Sequence, residues 1–212
     1  MRNLTIDSNR LWQSLMTMAA IGATEKGGVC RLTLTDLDRQ SRDLFAEWSS
    51  ACGCTMHVDA MGNMFARRTG TNEGLPPIVT GSHLDSQPTG GKYDGAYGVL
   101  AGLEVLRTLN ENNIETEAPI EVAIWTNEEG CRFAPACMGS ATFAGAFALD
   151  YSHGRTDHDG KTVREELERI GPKNLGEGST RQLVIWLHWL QGGYTCRKYA
   201  VTKVKTVNSL SG

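Results

Sequence analysis

The 212-residue sequence contains no apolar run approaching the ~20 residues that a membrane-spanning helix needs. Its N-terminus, Met1-Arg2-Asn3-Leu4-Thr5-Ile6-Asp7, lacks the apolar core of a secretory signal. A soluble, cytoplasmic protein is the expectation. Blocks of basic residues are also missing: 21 Lys and Arg face 24 Asp and Glu, and the net charge of −3 is spread along the chain. That leaves no electrostatic footprint for nucleic acid or an anionic membrane, so a small molecule is the expected partner. The six cysteines have no zinc-ribbon spacing, and a domain of this size folds without disulfides, so all six are expected as reduced thiols, Cys52 and Cys54 included. Internal repeats and low-complexity segments are absent. About two fifths of the residues are hydrophobic, enough for one main domain with a sizeable core.

The pattern predicts alternating helices and strands. Leu11, Trp12, Leu15, Met16 and Met18 to Ala20 have helical spacing, and Thr35-Asp36 offers an N-cap before a helix with Leu37, Leu44, Phe45 and Trp48 on one side. Residues 55–60 and 63–67 read as a hairpin turning at Met61-Gly62-Asn63. Two apolar runs, 77–83 and 120–126, read as buried strands separated by a helix over 96–110, and further helices are expected over 139–147 and 161–170. The expected fold class is α/β, a mixed β-sheet flanked by helices.

Chemistry-bearing side chains gather at the ends of the two buried strands. His83 and Asp85 are two apart, which on a strand puts an imidazole and a carboxylate on one face, a metal ligand with its orienting partner; a strand-capping His and a turn-starting Asp are the structural alternative. Asp94 lies in Gly91-Lys92-Tyr93-Asp94-Gly95 at a helix entrance, where a helix N-cap is the structural alternative. Glu128 and Glu129 follow the second strand directly; adjacent carboxylates there repel and call for a cation nearby. One carboxylate binding a divalent ion while its neighbour takes a proton from activated water satisfies both. A set of His and carboxylate donors suits Zn²⁺, and also Mn²⁺ or Co²⁺.

Three blocks, residues 81–86, 90–102 and 125–133, with the supporting stretches 27–31 and 59–68, resemble the signature blocks of the N-carbamoyl-L-amino-acid hydrolases. That family also holds allantoate amidohydrolases and β-ureidopropionases and is related to dinuclear zinc aminoacylases and carboxypeptidases. The resemblance implies the N-terminal part of a zinc-peptidase-like catalytic domain carrying two divalent metal ions. By it, His83 binds one ion, Asp94 bridges both, Glu129 binds the other and Glu128 is the general base, while Asp85 supports His83 or orients the glutamate. The implied reaction is hydrolysis of a linear amide C–N bond in N-carbamoyl (ureido) amino acids or allantoate by a metal-bridging hydroxide. A homodimer is the family's assembly.

The family continues with a Leu-His-Ile-Glu-Gln-Gly block, of which Leu187-His188-Trp189-Leu190-Gln191-Gly192 keeps the His and the Gln. His188 is thereby implied as a further metal ligand and Gln191 as a substrate contact, with a structural histidine in an apolar strand as the alternative for His188. Residues 193–212 resemble nothing in the family. The expected organisation is a partial metal-binding catalytic domain over residues 1–190 and an atypical tail over 191–212, read as a frameshift product, with the family's lid domain and C-terminal half absent. The alternative to an active enzyme is a catalytically inactive, truncated metal-binding remnant.

Overall fold

The computed structural model describes residues 4–171 and the short strand Val184–Ile185. Helix α1 spans Ser8–Ala20, capped by the Asp7 carboxylate accepting from the Arg10 amide. Helix α2 spans Asp36–Ala51 behind the expected N-cap Thr35, whose hydroxyl accepts from the Asp38 amide. Strands β1 (Thr55–Val58) and β2 (Met64–Arg68) form the expected antiparallel hairpin. Strand β3 (Ile78–Ser82), helix α3 (Ala96–Glu111) and strand β4 (Ile120–Ile124) form a crossover unit whose two strands pair in parallel. The sheet order is β1-β2-β4-β3-β5, with β5 (Val184–Ile185) parallel to β3. The sheet is therefore mixed, antiparallel on the hairpin side and parallel where β3 meets β4 and β5, and the α/β expectation holds.

Strand alternation divides the core between the two faces. Met64, Ala66, Val122 and Ile124 pack with Leu11, Leu15 and Met18 of α1, Phe45 of α2 and Val99, Leu100, Leu103 and Leu106 of α3. Phe65, Val79, Ala123 and Trp125 lie together in a separate cluster, with Phe143 against them. In the same strands Arg67 donates to Glu121 at 2.7 Å and to Glu73 at 2.6 Å, giving one buried cation two carboxylate partners. A third cluster, Leu34, Met61, Phe133, Met138, Val163 and Ile170, lies beneath the chain that follows β4. It joins that chain to helix α6 (Val163–Ile170), which opens with a capping box between Thr162 and Glu165.

Several elements depart from the sequence pattern. Trp12 is 53 % exposed and Leu37 38 % exposed. On α2 the buried face instead carries Asp38, Ser41 and Arg42, with Arg42 donating to the Asp38 carboxylate at 2.9 Å. The helix expected over 139–147 is α4 (Met138–Phe143), and a second short helix, α5 (Leu149–His153), follows it. Gly145, at φ +75°, separates the two. Cys30, Cys52, Cys54 and Cys131 are free thiols, as expected. Burial, followed by the charge of Cys52, pushes the Cys54 thiol up to about 11, which suits an inert thiol better than a redox pair. No helix among the described residues is long and apolar enough to cross a membrane.

Candidate metal centre

Both parallel strands end where the candidate side chains begin. Strand β3 stops at Ser82, so His83 and Asp85 sit in the loop beyond it and strand alternation does not bring them together. A local turn does: His83 Nδ1 lies 2.8 Å from the Asp85 carbonyl oxygen. A carbonyl only accepts, so Nδ1 carries a hydrogen and Nε2 is the nitrogen left to coordinate. Nε2 faces Glu128 Oε2 at 3.3 Å and Asp94 Oδ1 at 3.7 Å. The ring is almost wholly buried.

Asp94 does not cap helix α3; that position belongs to Gly95, and no side chain caps the helix there. The Asp94 carbonyl accepts from the Ala96 amide at 2.7 Å while Gly95 adopts φ +67°, ψ −53°. This is a γ-turn of the uncommon hand, which turns the chain into the helix and leaves the Asp94 carboxylate facing His83. Gly95 is required twice, because a Cβ there would lie 2.5 Å from the His83 carbonyl oxygen and 2.6 Å from ring atoms Cε1 and Nδ1.

Beyond β4, Asn127 reverses the chain at φ +55°. Its side-chain amide holds the following loop by donating to Phe133 O at 2.7 Å and Pro135 O at 3.1 Å. The Glu128 and Glu129 amides then point at one carboxylate: they donate to Asp85 Oδ1 at 3.3 Å and Oδ2 at 3.2 Å. Asp85 Oδ1 is also 3.6 Å from His83 Nδ1. Asp85 thus ties the two strand-end loops together, beside the imidazole and beneath the glutamate pair.

His83, Asp94 and Glu129 each offer a ligand atom, all within 4.8 Å of one another. Gln87 donates to Glu129 Oε2 at 3.1 Å, while Glu129 Oε1 is buried with no hydrogen-bond partner. Burial, opposed by the Gln87 bond and the His83 charge, raises the Glu129 carboxyl above the usual range. Burial also acts to lower the His83 pKa, but the Asp85 hydrogen bond and the charges of Asp85 and Glu128 outweigh it and bring it up to about 9. Four carboxylates (Asp85, Asp94, Glu128 and Glu129) converge here, and among the described residues His83 is their one ion-pair partner. An orphaned buried oxygen, a lone imidazole nitrogen and surplus negative charge fit a divalent cation.

Glu128, Glu129, Asp94, Asp85 and His83 therefore converge as the sequence predicts. His188 and Gln191 lie outside the described residues; β5 ends three residues before His188. Sequence reasoning missed Gln87, Asn127 and Cys137, whose amide donates to the Glu128 carbonyl at 2.7 Å and whose Sγ lies 3.6 Å from Glu128 Oε1. Gln87 and Cys137 carry no periodic or motif signal, and Asn127, though inside the block 125–133, has no charge or ligand chemistry to single it out. The Gly flanking Asp94 was the one visible hint of tight packing.

These chemistry-bearing side chains, beyond the C-terminal ends of parallel strands, lie where open α/β sheets place their ligand sites. Residues 79–203 match the family described as Peptidase family M20/M25/M40, and the chain belongs to that family. It is 52 % identical over 169 residues to an N-carbamoyl-L-amino-acid amidohydrolase of Rhizobium meliloti, covering 80 % of this chain and 41 % of that protein. It is 32 % identical over 161 residues to a ureidoglycolate hydrolase of Arabidopsis thaliana, covering 76 % of this chain and 34 % of that protein. Among solved structures, a hydantoinase/carbamoylase family amidase from Burkholderia multivorans superimposes with a TM-score of 0.79 at 63 % identity, covering 79 % of this chain and 41 % of that one. The chain spans about two fifths of the length of such relatives.

Proposed function

We propose that this chain forms the ion-binding part of a hydrolase that cleaves a linear C–N bond in N-carbamoyl (ureido) amino acids or allantoate. The observation that carries the reading is that Glu129, which offers a ligand atom within 4.8 Å of those of His83 and Asp94, also has a buried oxygen, Oε1, with no hydrogen-bond partner. The names of the relatives supply the ureido substrate class. His83, Asp94 and Glu129 would hold the ions, two in number and Zn²⁺ first, with Mn²⁺ or Co²⁺ as alternatives; His188 would complete the set and Gln191 would face the substrate. When bound, such ions lower the pKa of water to about 7 and polarise a carbonyl oxygen.

Glu128 is the base in this reading. Its Oε2 points at the same place as His83 Nε2, 3.3 Å away, so a water held there is within its reach. The Glu128 backbone is fixed from both sides, its amide on Asp85 and its carbonyl on the Cys137 amide, which holds the carboxylate beside His83 Nε2 to take a proton and return it. Water oxygen bonds to the ureido carbon, the C–N bond breaks, and the proton held by Glu128 passes to the departing nitrogen. This leaves a carbamic acid, whose remaining C–N bond breaks as CO₂ departs and the acid's proton passes to the nitrogen, so a carbamoyl substrate and one water give the amino acid, ammonia and CO₂.

The test is ion content by elemental analysis together with ammonia release from N-carbamoyl amino acids and allantoate, with Zn²⁺, Mn²⁺ or Co²⁺ supplied. Glu128→Gln is expected to keep its ions and lose about 10²–10⁴-fold in turnover, the usual contribution of a positioned base. Ion uptake that His83→Ala leaves unchanged would overturn the ligand assignment. Turnover that survives Glu128→Gln would overturn the assignment of the base.

A further inference from the structure

Arg31 stands in the connection between α1 and α2, 3 % exposed. Among the described residues it forms no ion pair, although a buried charge is strongly disfavoured unless it is paired or well hydrogen-bonded. It holds three carbonyls instead. Nε donates to Leu84 O at 2.7 Å, and Nη1 donates to Ile21 O at 2.7 Å and Met18 O at 3.1 Å. The last two acceptors close the C-terminal end of α1. The first is the residue between His83 and Asp85.

The main chain repeats the tie. The Arg31 amide donates to Ser86 Oγ at 2.8 Å, and the Ser86 amide donates to Arg31 O at 2.9 Å. Two residues earlier, Val29 and Gly90 exchange both backbone hydrogen bonds, at 2.9 and 3.0 Å. The stretch Val29–Arg31 is therefore a rail along which the chain from Leu84 to Gly90 is laid. That loop carries Asp85 and Gln87 and leads to Asp94. Burial disfavours the Arg31 charge, while the fields of Asp38 and Asp85 favour it.

We propose that Arg31 is a positioning residue for the ion site: by fixing the Leu84 carbonyl it sets the side chains of His83 and Asp85, so ion affinity depends on a guanidinium that touches no ligand atom. The proposal rests on reading His83, Asp94 and Glu129 as ligands. A guanidinium suits the task because its planar fork reaches carbonyls on two sides at once; a lysine ammonium is a single point charge that cannot span them.

The experiment compares the full 212-residue chain with Arg31→Lys and, as a gentler second variant, Ser86→Ala. Mn²⁺ and Zn²⁺ affinities are measured by calorimetry, and hydrogen exchange is followed on the ion-free chain. Arg31→Lys is expected to weaken ion binding about 10–100-fold, the cost typical of losing a residue that orients a ligand. It should also speed exchange of the Glu128 and Glu129 amides, which rest on Asp85, while α3 keeps its protection. Unchanged affinity in a folded variant overturns the proposal, as does exchange that rises equally in α3, the sign of general destabilisation. If Arg31→Lys does not fold, Ser86→Ala decides on the same two readouts. A wild-type chain that takes up neither ion refutes the ligand reading and with it any effect on affinity; the exchange arm then shows separately whether Arg31 places the loop.

Discussion

Replacing Gly95 by alanine tests the geometry of the site at its tightest point. The added Cβ would meet the His83 carbonyl oxygen at 2.5 Å and the imidazole atoms Cε1 and Nδ1 at 2.6 Å. Its φ of +67° with ψ −53° is also a conformation that L-residues avoid. A strained backbone of this kind costs about 1–3 kcal/mol, and forcing a methyl into packed surroundings about 1–3 kcal/mol more. The two effects draw on the same relaxation, so a loss of roughly 2–5 kcal/mol is expected. Relief can come only from moving the γ-turn or His83, and either move separates Asp94 from Nε2. Urea unfolding of the ion-free chain reads the stability loss, and Mn²⁺ titration reads the displaced ligand. Gly91→Ala is the control: nothing lies within 4 Å of its added Cβ, so a change within about 0.5 kcal/mol is expected. Equal behaviour of the two variants would refute the argument that Gly95 sets the position of His83.

Two further expectations come from the electrostatics. With folded-state His83 raised from 6.5 to about 9, the ion-free chain gains stability that is fully present below pH ~6.5 and lost as pH rises through about 9, roughly 3 kcal/mol in all. Saturating ion should flatten that slope, because the ion takes the place of the Nε2 proton, and binding at pH 7.5 should release a proton measurable by calorimetry in buffers of different ionisation enthalpy. A flat profile without ion would contradict the charge balance drawn for His83. Asp85→Asn leaves one carbonyl oxygen where two amides now find a carboxylate oxygen each. It should cost about 1–3 kcal/mol in urea unfolding and weaken ion binding, whereas retention of both would deny Asp85 its role as the tie between the loops.

The sheet was legible because β3 and β4 are apolar, β-branched runs, a pattern that few other elements share. The site was legible because four carboxylates and an imidazole beside glycines are hard to explain as surface. What escaped was whatever depends on dihedral angles or on backbone partners. The γ-turn at Gly95 leaves no spacing signal, so Asp94 also read as a plain N-cap. Arg31 bonds carbonyls, which have no side-chain signature, and its depth could not be seen. Trp12 fell in a helical apolar stripe because periodicity records which residues share a side and not whether anything covers that side. The helix expected over 139–147 was too long because the apolar pattern runs on through the break at Gly145.

The charge balance of the site joins its fold to its chemistry. His83 stands among four carboxylates, and without an ion a proton on Nε2 is the positive charge that allows Asp94 and Glu128 to approach it. The scaffold does not depend on that proton for its shape. Asp85 is held by two backbone amides, Glu129 by Gln87, Asp94 by the γ-turn and the His83 ring by the Asp85 carbonyl. A divalent ion entering such a frame displaces one proton and meets ligands already in place, so little ordering cost is subtracted from its affinity. The same preorganisation separates the glutamates: Glu129 keeps one carboxylate oxygen buried and partnerless, while the Glu128 carboxylate is partly exposed, 3.3 Å from His83 Nε2. In the proposed reaction, adjacent residues of one type are thereby given different work by the backbone that holds them.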